Sequence, residues 1–309
     1  MRKAFVETLI ELARQNPRVV LLTADLGFGV LEPFANEFPR HFFNVGIAEQ
    51  NMMGLATGLA KEGFIPFVYS MGTFSALRPY EVIRNGPILH QLPVRIVGIG
   101  GGFDYGTAGS THHSLEDIAV LRAQPGINIF SPADSLQARA IMKATWQLKG
   151  PVYYRLSKDE RPDISGLNGR FDMNVADEIR NGKDLCLIAT GRISEEVLLA
   201  ADQLSDCGLH CSVVVVSSLN PGPVEDLCAR LTQFSKVITI EAHFIRGGLG
   251  SLVAEVIADN RLNCRLLRMG VNEVAQAEGG DAAYLNARSG LSKEGIVQAA
   301  LNFTEKKSR

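Results

Sequence analysis

Short apolar runs alternate with longer amphipathic stretches along the first half of the chain. The runs are apolar on both faces, which is typical of parallel strands covered by helices on both sides. The predicted strands are Val19 to Ala24, Phe64 to Ser70, Val94 to Gly100, Ile127 to Pro132 and Pro151 to Leu156. The predicted helices are Phe5 to Gln15, Ile47 to Lys61, Arg78 to His90, Ser114 to Gln124 and Asp134 to Leu148.

The same alternation resumes after a charged, glycine-containing segment at residues 161–183, which is predicted to be a linker with at most one short strand. Strands are predicted at DLCLIAT, VVVVSS, KVITIEA and RLLRMG, with helices at SEEVLLAADQLSDCG, from Val224, and after GGLGS. The sequence therefore predicts an α/β fold of two consecutive three-layer domains with mostly parallel sheets. Their predicted bounds are residues 1–160 and 184–309.

Composition narrows the function classes. The 309 residues carry a formal net charge of -2, which gives no electrostatic case for binding nucleic acid or an anionic membrane. No apolar run reaches bilayer-spanning length, and the first residues lack the apolar core of a signal peptide. The five cysteines include no CxxC pair, so reduced thiols in a cytoplasmic protein are expected.

Glu49 occupies an unusual position in the stretch NVGIAEQNMMGLATGLA. At 100° per residue, it shares one helix face with four apolar side chains: Met52, Met53, Ala56 and Ala60. A carboxylate there is costly to bury unless it is paired or protonated. Either it is a solvated first-turn glutamate favoured by the helix dipole, or it is a buried carboxyl group that handles a proton.

A glycine-rich segment, GGGFDYGTAGSTHHSLED, follows the strand that ends at Gly100, where open α/β sheets bind ligands. His112 and His113 in this segment are candidates for proton transfer or for binding an oxygen-rich ligand, or they have structural roles. Phe74, close to Arg78, either stacks on a flat heterocycle or belongs to the core. No cluster has zinc-ligand spacing, so no metal site is predicted in this chain.

Several ordered segments together resemble the transketolase family of thiamine diphosphate enzymes. They are TADL, NVGIAEQNMMGLATGLAKEGFIPFVYS, FSALRPYEVIR, GTAGSTHHSLEDIAVLRAQPGINIFSPAD, VYYRLSK and EAHFIRGGLGSLVAEV. The resemblance covers essentially the whole chain and implies a pyrimidine-binding domain followed by the family's C-terminal domain. The GDG motif of the diphosphate-binding domain does not occur in the sequence. The resemblance thus implies the β subunit of a split enzyme. An α subunit would supply the diphosphate site and the Mg²⁺ ligands, in an α2β2 assembly.

The resemblance also assigns cofactor contacts. Glu49 matches the glutamate that bonds to the pyrimidine N1′ of thiamine diphosphate, and Phe74 matches the aromatic that stacks on that ring. Arg78 lies near an arginine of deoxyxylulose-phosphate synthases. Asp25, in TADL, is expected to approach the cofactor across the subunit interface.

For the substrate, the resemblance implies a ketose or ketose phosphate that donates a two-carbon unit to an aldose. His112 matches a histidine that contacts substrate hydroxyls and moves protons, and His113 and Arg155 are expected beside the substrate. Lys158 stands where the family has a phosphate-binding arginine, and Ala108 replaces an acidic residue that reads a donor hydroxyl. A specialised sugar therefore fits at least as well as the common pentose phosphates.

Three alternatives remain open at this point. The β subunit of a 2-oxo acid dehydrogenase has the same two domains, although GIAEQ and GSTHH favour transketolase. An enzyme similar to deoxyxylulose-phosphate synthase is the second alternative. A non-catalytic subunit that retains the fold as a regulator is the third, and the matches at Glu49 and His112 argue against it.

Overall fold

The computed structural model describes residues 1–272 and 279–305 of the chain. These residues form two sheets with helices packed on their faces. The strands are β1 Val19–Thr23, β2 Phe42–Asn44, β3 Ile65–Met71, β4 Arg95–Ile99, β5 Asn128–Phe130, β6 Val152–Leu156, β7 Asp177–Arg180, β8 Leu185–Ala189, β9 Cys211–Val215, β10 Ser218–Asn220, β11 Lys236–Phe244 and β12 Arg265–Val271.

The α-helices lie before the first strand, between the strands and after the last of them. They are α1 Arg2–Gln15, α2 Glu32–Glu37, α3 Glu49–Lys61, α4 Gly72–Ala76, α5 Tyr80–Ile83, α6 Asp117–Arg122, α7 Ser135–Thr145, α8 Ser194–Asp206, α9 Val224–Leu231, α10 Leu249–Asp259, α11 Ala282–Arg288 and α12 Lys293–Glu305.

In the described residues, the first sheet has seven strands in the order β10-β5-β6-β4-β3-β1-β2, and the second has five in the order β12-β11-β8-β9-β7. Pairing is parallel except at one edge of each sheet, where β10 pairs with β5 and β7 with β9 in antiparallel fashion. Because consecutive parallel strands are joined by helices, both sheets are covered. The predicted α/β fold with two mostly parallel sheets is confirmed.

The two sheets are tied together more closely than two domains in series suggest. Strand β10 follows β9 of the second sheet, yet it completes the edge of the first sheet next to β5. Strand β7, inside the predicted linker, belongs to the second sheet. One apolar cluster contains side chains from both halves of the chain, among them Ile129, Leu219 and Val253. The predicted domain bounds at residues 160 and 184 stay a prediction.

The predicted helix from Arg78 to His90 differs from the observed segment. Only α5 is α-helical, and a π-helical turn at Arg84–Ile88 with Pro87 inside it follows. Proline has no backbone N–H, so it cannot continue the α-helical hydrogen bonding. Gly86 lies here against Thr57 of α3, where an added Cβ would come within 2.8 Å of the threonine hydroxyl oxygen.

Candidate functional site

The sequence-predicted site residues lie at one edge of the first sheet. Parallel strands bring their carboxyl ends to the same edge, which is where open α/β sheets bind ligands. Strands β1, β2, β3, β4 and β6 all run parallel to their neighbours in this sheet. In chain order, the predicted residues within or after the carboxyl ends of these strands are Asp25, Glu49, Phe74, Arg78, His112, His113, Arg155 and Lys158.

Glu49 is the first residue of α3, and the carboxylate is buried. The face predicted from the periodicity is confirmed, since Glu49, Met52, Met53, Ala56 and Ala60 are the buried residues of this helix. The side chain is only 3% exposed, so the helix end is not solvated at this carboxylate. The chain reaches the helix through Gly46, whose φ of +74° is in the left-handed region that glycine tolerates.

Two polar side chains contact the Glu49 carboxylate. Arg78 Nη1 donates to Oε2 at 2.5 Å, and Ser70 Oγ donates to Oε1 at 3.5 Å. A buried carboxylate is stabilised when it is paired and hydrogen-bonded, and Arg78 supplies the opposite charge. Arg78 therefore supplies the countercharge for the Glu49 carboxylate, which lies on an otherwise apolar helix face.

Phe74, in the short helix α4, links this pair to the glycine-rich loop. The Arg78 guanidinium carbon lies 4.4 Å from the centre of the Phe74 ring, a cation–π contact. The His112 ring meets the same phenyl ring edge-on, with centres 5.3 Å apart. Four predicted site residues, Glu49, Arg78, Phe74 and His112, thus form one continuous group of contacts.

The loop that carries the histidines is closed by its own backbone. Gly102 and Ser114 exchange two N–H···O bonds, at 2.8 and 2.9 Å, so the intervening residues form a tight loop. Thr73 Oγ1 donates to the carbonyl oxygen of His113 at 2.9 Å, which fixes the loop to α4. At Gly72 an added Cβ would come within 2.5 Å of Ser114 Oγ, so this close approach requires glycine.

The two histidines have different surroundings. His112 is half-buried, and its Nδ1 is 2.9 Å from Thr111 Oγ1. The His113 side chain is buried against Phe103, ring centres 5.0 Å apart, and its Nε2 has no partner among the described residues. Burial lowers the pKa of His113. The burial of His113 favours a supporting role in the loop, and its predicted substrate contact stays a prediction. His112 has the access that proton exchange needs.

Arg155 lies apart from this group and is held by the protein itself. Its Nε donates to Asp117 Oδ2 at 2.8 Å, and its Nη2 donates to the carbonyl oxygens of Ser114 and Ala242. Burial of Asp117 opposes ionisation, but the charge of Arg155 prevails and the pKa of the carboxyl group is lowered. The contacts favour a structural tie between the two sheets, and the predicted substrate contact of Arg155 stays a prediction.

Lys158 and Asp25 also lie outside the Glu49 group. The Lys158 ammonium nitrogen is 5.0 Å from the centre of the Tyr105 ring, and its backbone N–H donates to Asp104. Asp25 is exposed, has a φ of +53°, and accepts a hydrogen bond from Asn44 Nδ2 at 3.0 Å. No contact between these two residues and Glu49 is present among the described residues.

A cavity of about 210 Å³ between the two sheets was missed by sequence reasoning. Its wall includes Phe103, Arg155, Thr190 and Arg192, which come from distant parts of the chain. No local pattern joins these segments, so no sequence signal could have located the cavity.

In the part of the chain that the structure describes, no group of three or more His, Cys, Asp or Glu side chains could hold a metal ion. Nor is any helix in these residues long and apolar enough to cross a membrane. The five cysteines are free thiols, as predicted.

Family comparison agrees with this geometry. The family model described as transketolase, pyrimidine binding domain, matches residues 1–162, which include the complete Glu49 group. The model described as transketolase, C-terminal domain, matches residues 175–296. The chain belongs to the transketolase family. The predicted resemblance is therefore confirmed.

Several relatives of this transketolase-family chain are separate subunits or sections. A putative transketolase C-terminal section from Methanocaldococcus jannaschii is 38% identical over 309 residues, covering 99% of this chain and 96% of the relative. One of the subunits of an apulose-4-phosphate transketolase from Phocaeicola vulgatus is 36% identical over 307 residues, with 99% and 97% covered. A solved split gene transketolase, described as an inactive β4 tetramer, has a TM-score of 0.88 at 36% identity, with 99% and 98% covered.

Proposed function

We propose that this chain is the β subunit of a split, thiamine diphosphate-dependent transketolase. With its partner, it would transfer a two-carbon ketol unit from a ketose or ketose phosphate to an aldose. The observation that carries the proposal is the buried Glu49 carboxylate beside the Phe74 ring. It lies in a chain that matches transketolase C-terminal sections and subunits over nearly their full length.

The residues present fit the pyrimidine half of the cofactor. Glu49 offers a carboxylate shielded from water, and Phe74 offers a half-buried aromatic face next to it. A hydrogen bond to a ring nitrogen is stronger in such a place than in water. When bound, thiamine diphosphate supplies the electron sink for carbon–carbon bond cleavage. Glu49 would hold the proton at pyrimidine N1′, and Phe74 would orient the ring.

His112 would act on the substrate rather than on the cofactor. Its ring lies at the edge of Phe74 and remains half-buried, with Nδ1 next to the Thr111 hydroxyl. An imidazole ring can donate a hydrogen bond through one nitrogen and accept one at the other. His112 would thus bind a substrate hydroxyl and move its proton. Lys158 would contribute a positive charge to a substrate phosphate, without the planar fork of an arginine.

The diphosphate and Mg²⁺ would be held by a partner α subunit. The sequence contains no GDG motif, and the described residues contain no metal-binding cluster. Asp25, which is exposed and hydrogen-bonded to Asn44 at the end of β2, would approach the cofactor across the subunit interface. The similar split gene transketolase described as an inactive β4 tetramer supports a β chain that is inactive alone.

The outer face of α3 is a suitable docking surface for that partner. Gly54 and Gly58 have open space where a Cβ would be, so another backbone can approach closely. Leu55 on the same helix is 46% exposed, and Ile47, just before the helix, is 76% exposed. Contiguous apolar exposure beside a candidate site is typical of a subunit interface. An α2β2 assembly with each site between unlike subunits would cover this face.

The free cysteines support a cytoplasmic location.

The decisive experiment is reconstitution. The chain is mixed with a candidate α subunit that carries the GDG motif, and ketol transfer is assayed with ketose donors and aldose acceptors. Activity should require both chains, thiamine diphosphate and Mg²⁺. Release of CO₂ from a 2-oxo acid without ketol transfer would instead assign a 2-oxo acid dehydrogenase subunit. Tight Mg²⁺-dependent cofactor binding by the isolated chain would contradict the split-site proposal.

A further inference from the structure

The Arg78 side chain occupies the position that the proposed function gives to the pyrimidine ring. One guanidinium group contacts both of the groups assigned to that ring. It lies 2.5 Å from the Glu49 carboxylate through Nη1 and 4.4 Å from the Phe74 ring centre through its central carbon. A planar heterocycle that contacts Glu49 and Phe74 on this side needs the same space.

Arg78 is placed so that it can leave this position. It lies in the turn between α4 and α5, and its side chain is 44% exposed. Among the described residues, its side chain is held by Glu49 and Phe74. A rotation of the side chain into solvent therefore breaks one charge-assisted bond and one cation–π contact and leaves the backbone in place.

We infer that Arg78 is a positioning residue that holds Glu49 and covers Phe74 until the cofactor enters, and that its displacement limits cofactor affinity. The inference rests on the proposed function. In the cofactor-free chain, Arg78 removes the cost of an unpaired buried carboxylate. Any ring that binds Glu49 must first replace this contact. The apparent affinity for the cofactor is therefore the intrinsic affinity multiplied by the fraction of molecules in which Arg78 has moved away.

The test is isothermal titration of thiamine diphosphate into the reconstituted complex with Mg²⁺ present. Arg78→Met keeps a long side chain and removes the charge, and it should lower the Kd about tenfold, since hydrogen bonds to charged groups are among the stronger ones. Arg78→Lys keeps the charge without the planar fork and should give a Kd between those of the wild type and Arg78→Met. The matched control is Arg84→Met, because Arg84 is exposed and its guanidinium bonds to the neighbouring Asn85 rather than to Glu49 or Phe74.

The outcomes separate this inference from the proposed function. An unchanged Kd in Arg78→Met would show that Arg78 does not compete with the cofactor. A higher Kd would also rule out competition and would make Arg78 a direct cofactor ligand. If Arg78→Met does not assemble with the partner, Arg78→Lys decides by the same criterion. Absence of cofactor binding by the wild-type complex would refute the proposed function itself.

Discussion

Arg155 Nε lies 2.8 Å from Asp117 Oδ2, and both side chains are buried: the Arg155 side chain is 6% exposed and the Asp117 side chain 0%. The same guanidinium reaches the carbonyl oxygen of Ala242 at the end of the second sheet. A buried ion pair costs desolvation on both sides, and it is tolerated when the remaining hydrogen-bonding positions are filled. Tyr153, whose hydroxyl donates to the same Asp117 oxygen at 2.7 Å, fills one of them.

Arg155→Met should reduce the free energy of unfolding by about 3 kcal/mol, because it leaves the Asp117 carboxylate buried without its countercharge. Urea unfolding of the isolated chain at pH 7 measures this. The control is Arg161→Met. Arg161 is 40% exposed and its ion pairs with Asp159 and Glu195 are 3.9 and 3.5 Å long, so a change of less than about 1 kcal/mol is expected. If stability is retained while the substrate KM of the complex rises, Arg155 is a substrate ligand, as the resemblance implies.

Glu49→Gln should lower kcat for ketol transfer by about 100-fold or more, because an amide cannot hold the proton that the carboxyl group handles. Gln retains the size and a hydrogen-bond acceptor, so assembly of the complex should be preserved. Glu62→Gln, an exposed residue at the other end of the same helix, serves as the control and should leave kcat unchanged. Full activity of the Glu49 variant would refute the catalytic assignment.

Gly54→Trp should weaken assembly with the α subunit while the isolated chain stays folded. A Cβ added at Gly54 meets nothing within 4 Å, so the ring is expected to project from the outer face of α3. Overpacking of a close interface costs about 1–3 kcal/mol or more, which weakens assembly by about tenfold to a hundredfold. Sedimentation velocity of the mixed subunits measures this. Gln203→Trp places the same ring on the exposed face of α8, and normal assembly is expected there.

His243 should make folding stability depend on pH. Burial lowers its pKa to about 4, even though Asp117 favours the charged form, and Arg155 opposes it. The pKa in the folded chain lies below the ordinary value of 6.5, so between these values only the unfolded chain binds the proton. The stability that the chain gains from keeping His243 neutral is therefore lost as the pH falls from 6.5 to 4. Glu241 acts in the opposite direction, because burial raises its pKa to about 7.

The His243 contribution is isolated by comparing the wild type with His243→Gln in urea at several pH values. Between about pH 7 and about pH 4, the free energy of unfolding of the wild type should fall by roughly 3 kcal/mol relative to that of His243→Gln. His210→Gln, at an exposed position, is the control substitution. A pH-independent difference for His243→Gln would mean that this side chain titrates normally.

The sequence predicts what depends on local periodicity. The buried face of α3 follows from a 100° repeat, and the position of Glu49 on that face is confirmed residue by residue. The parallel strands follow from their apolar runs, because strands buried on both faces need such runs. The arrangement of site residues at one sheet edge then follows from the strand order.

Contacts between distant segments are not visible in such patterns. Arg78 pairs with Glu49 across 29 residues, and the sequence offers no reason to prefer it over other arginines. Strand β10 has three residues, which is too short for a period-2 signal, and its partner β5 lies in the other half of the chain. The π-helical turn at Arg84–Ile88 depends on both Pro87 and the approach of Gly86 to Thr57.

Strand β10 has a consequence for how this chain unfolds. Its backbone completes the first sheet while its neighbours in sequence belong to the second, and the apolar cluster below it draws on both halves. Separating the halves would expose the edge of β5 and open that shared cluster to water. Cleavage of the peptide bond within residues 161–183 should therefore leave the two fragments associated, and neither should refold when isolated. We therefore expect the two halves to unfold in one cooperative transition.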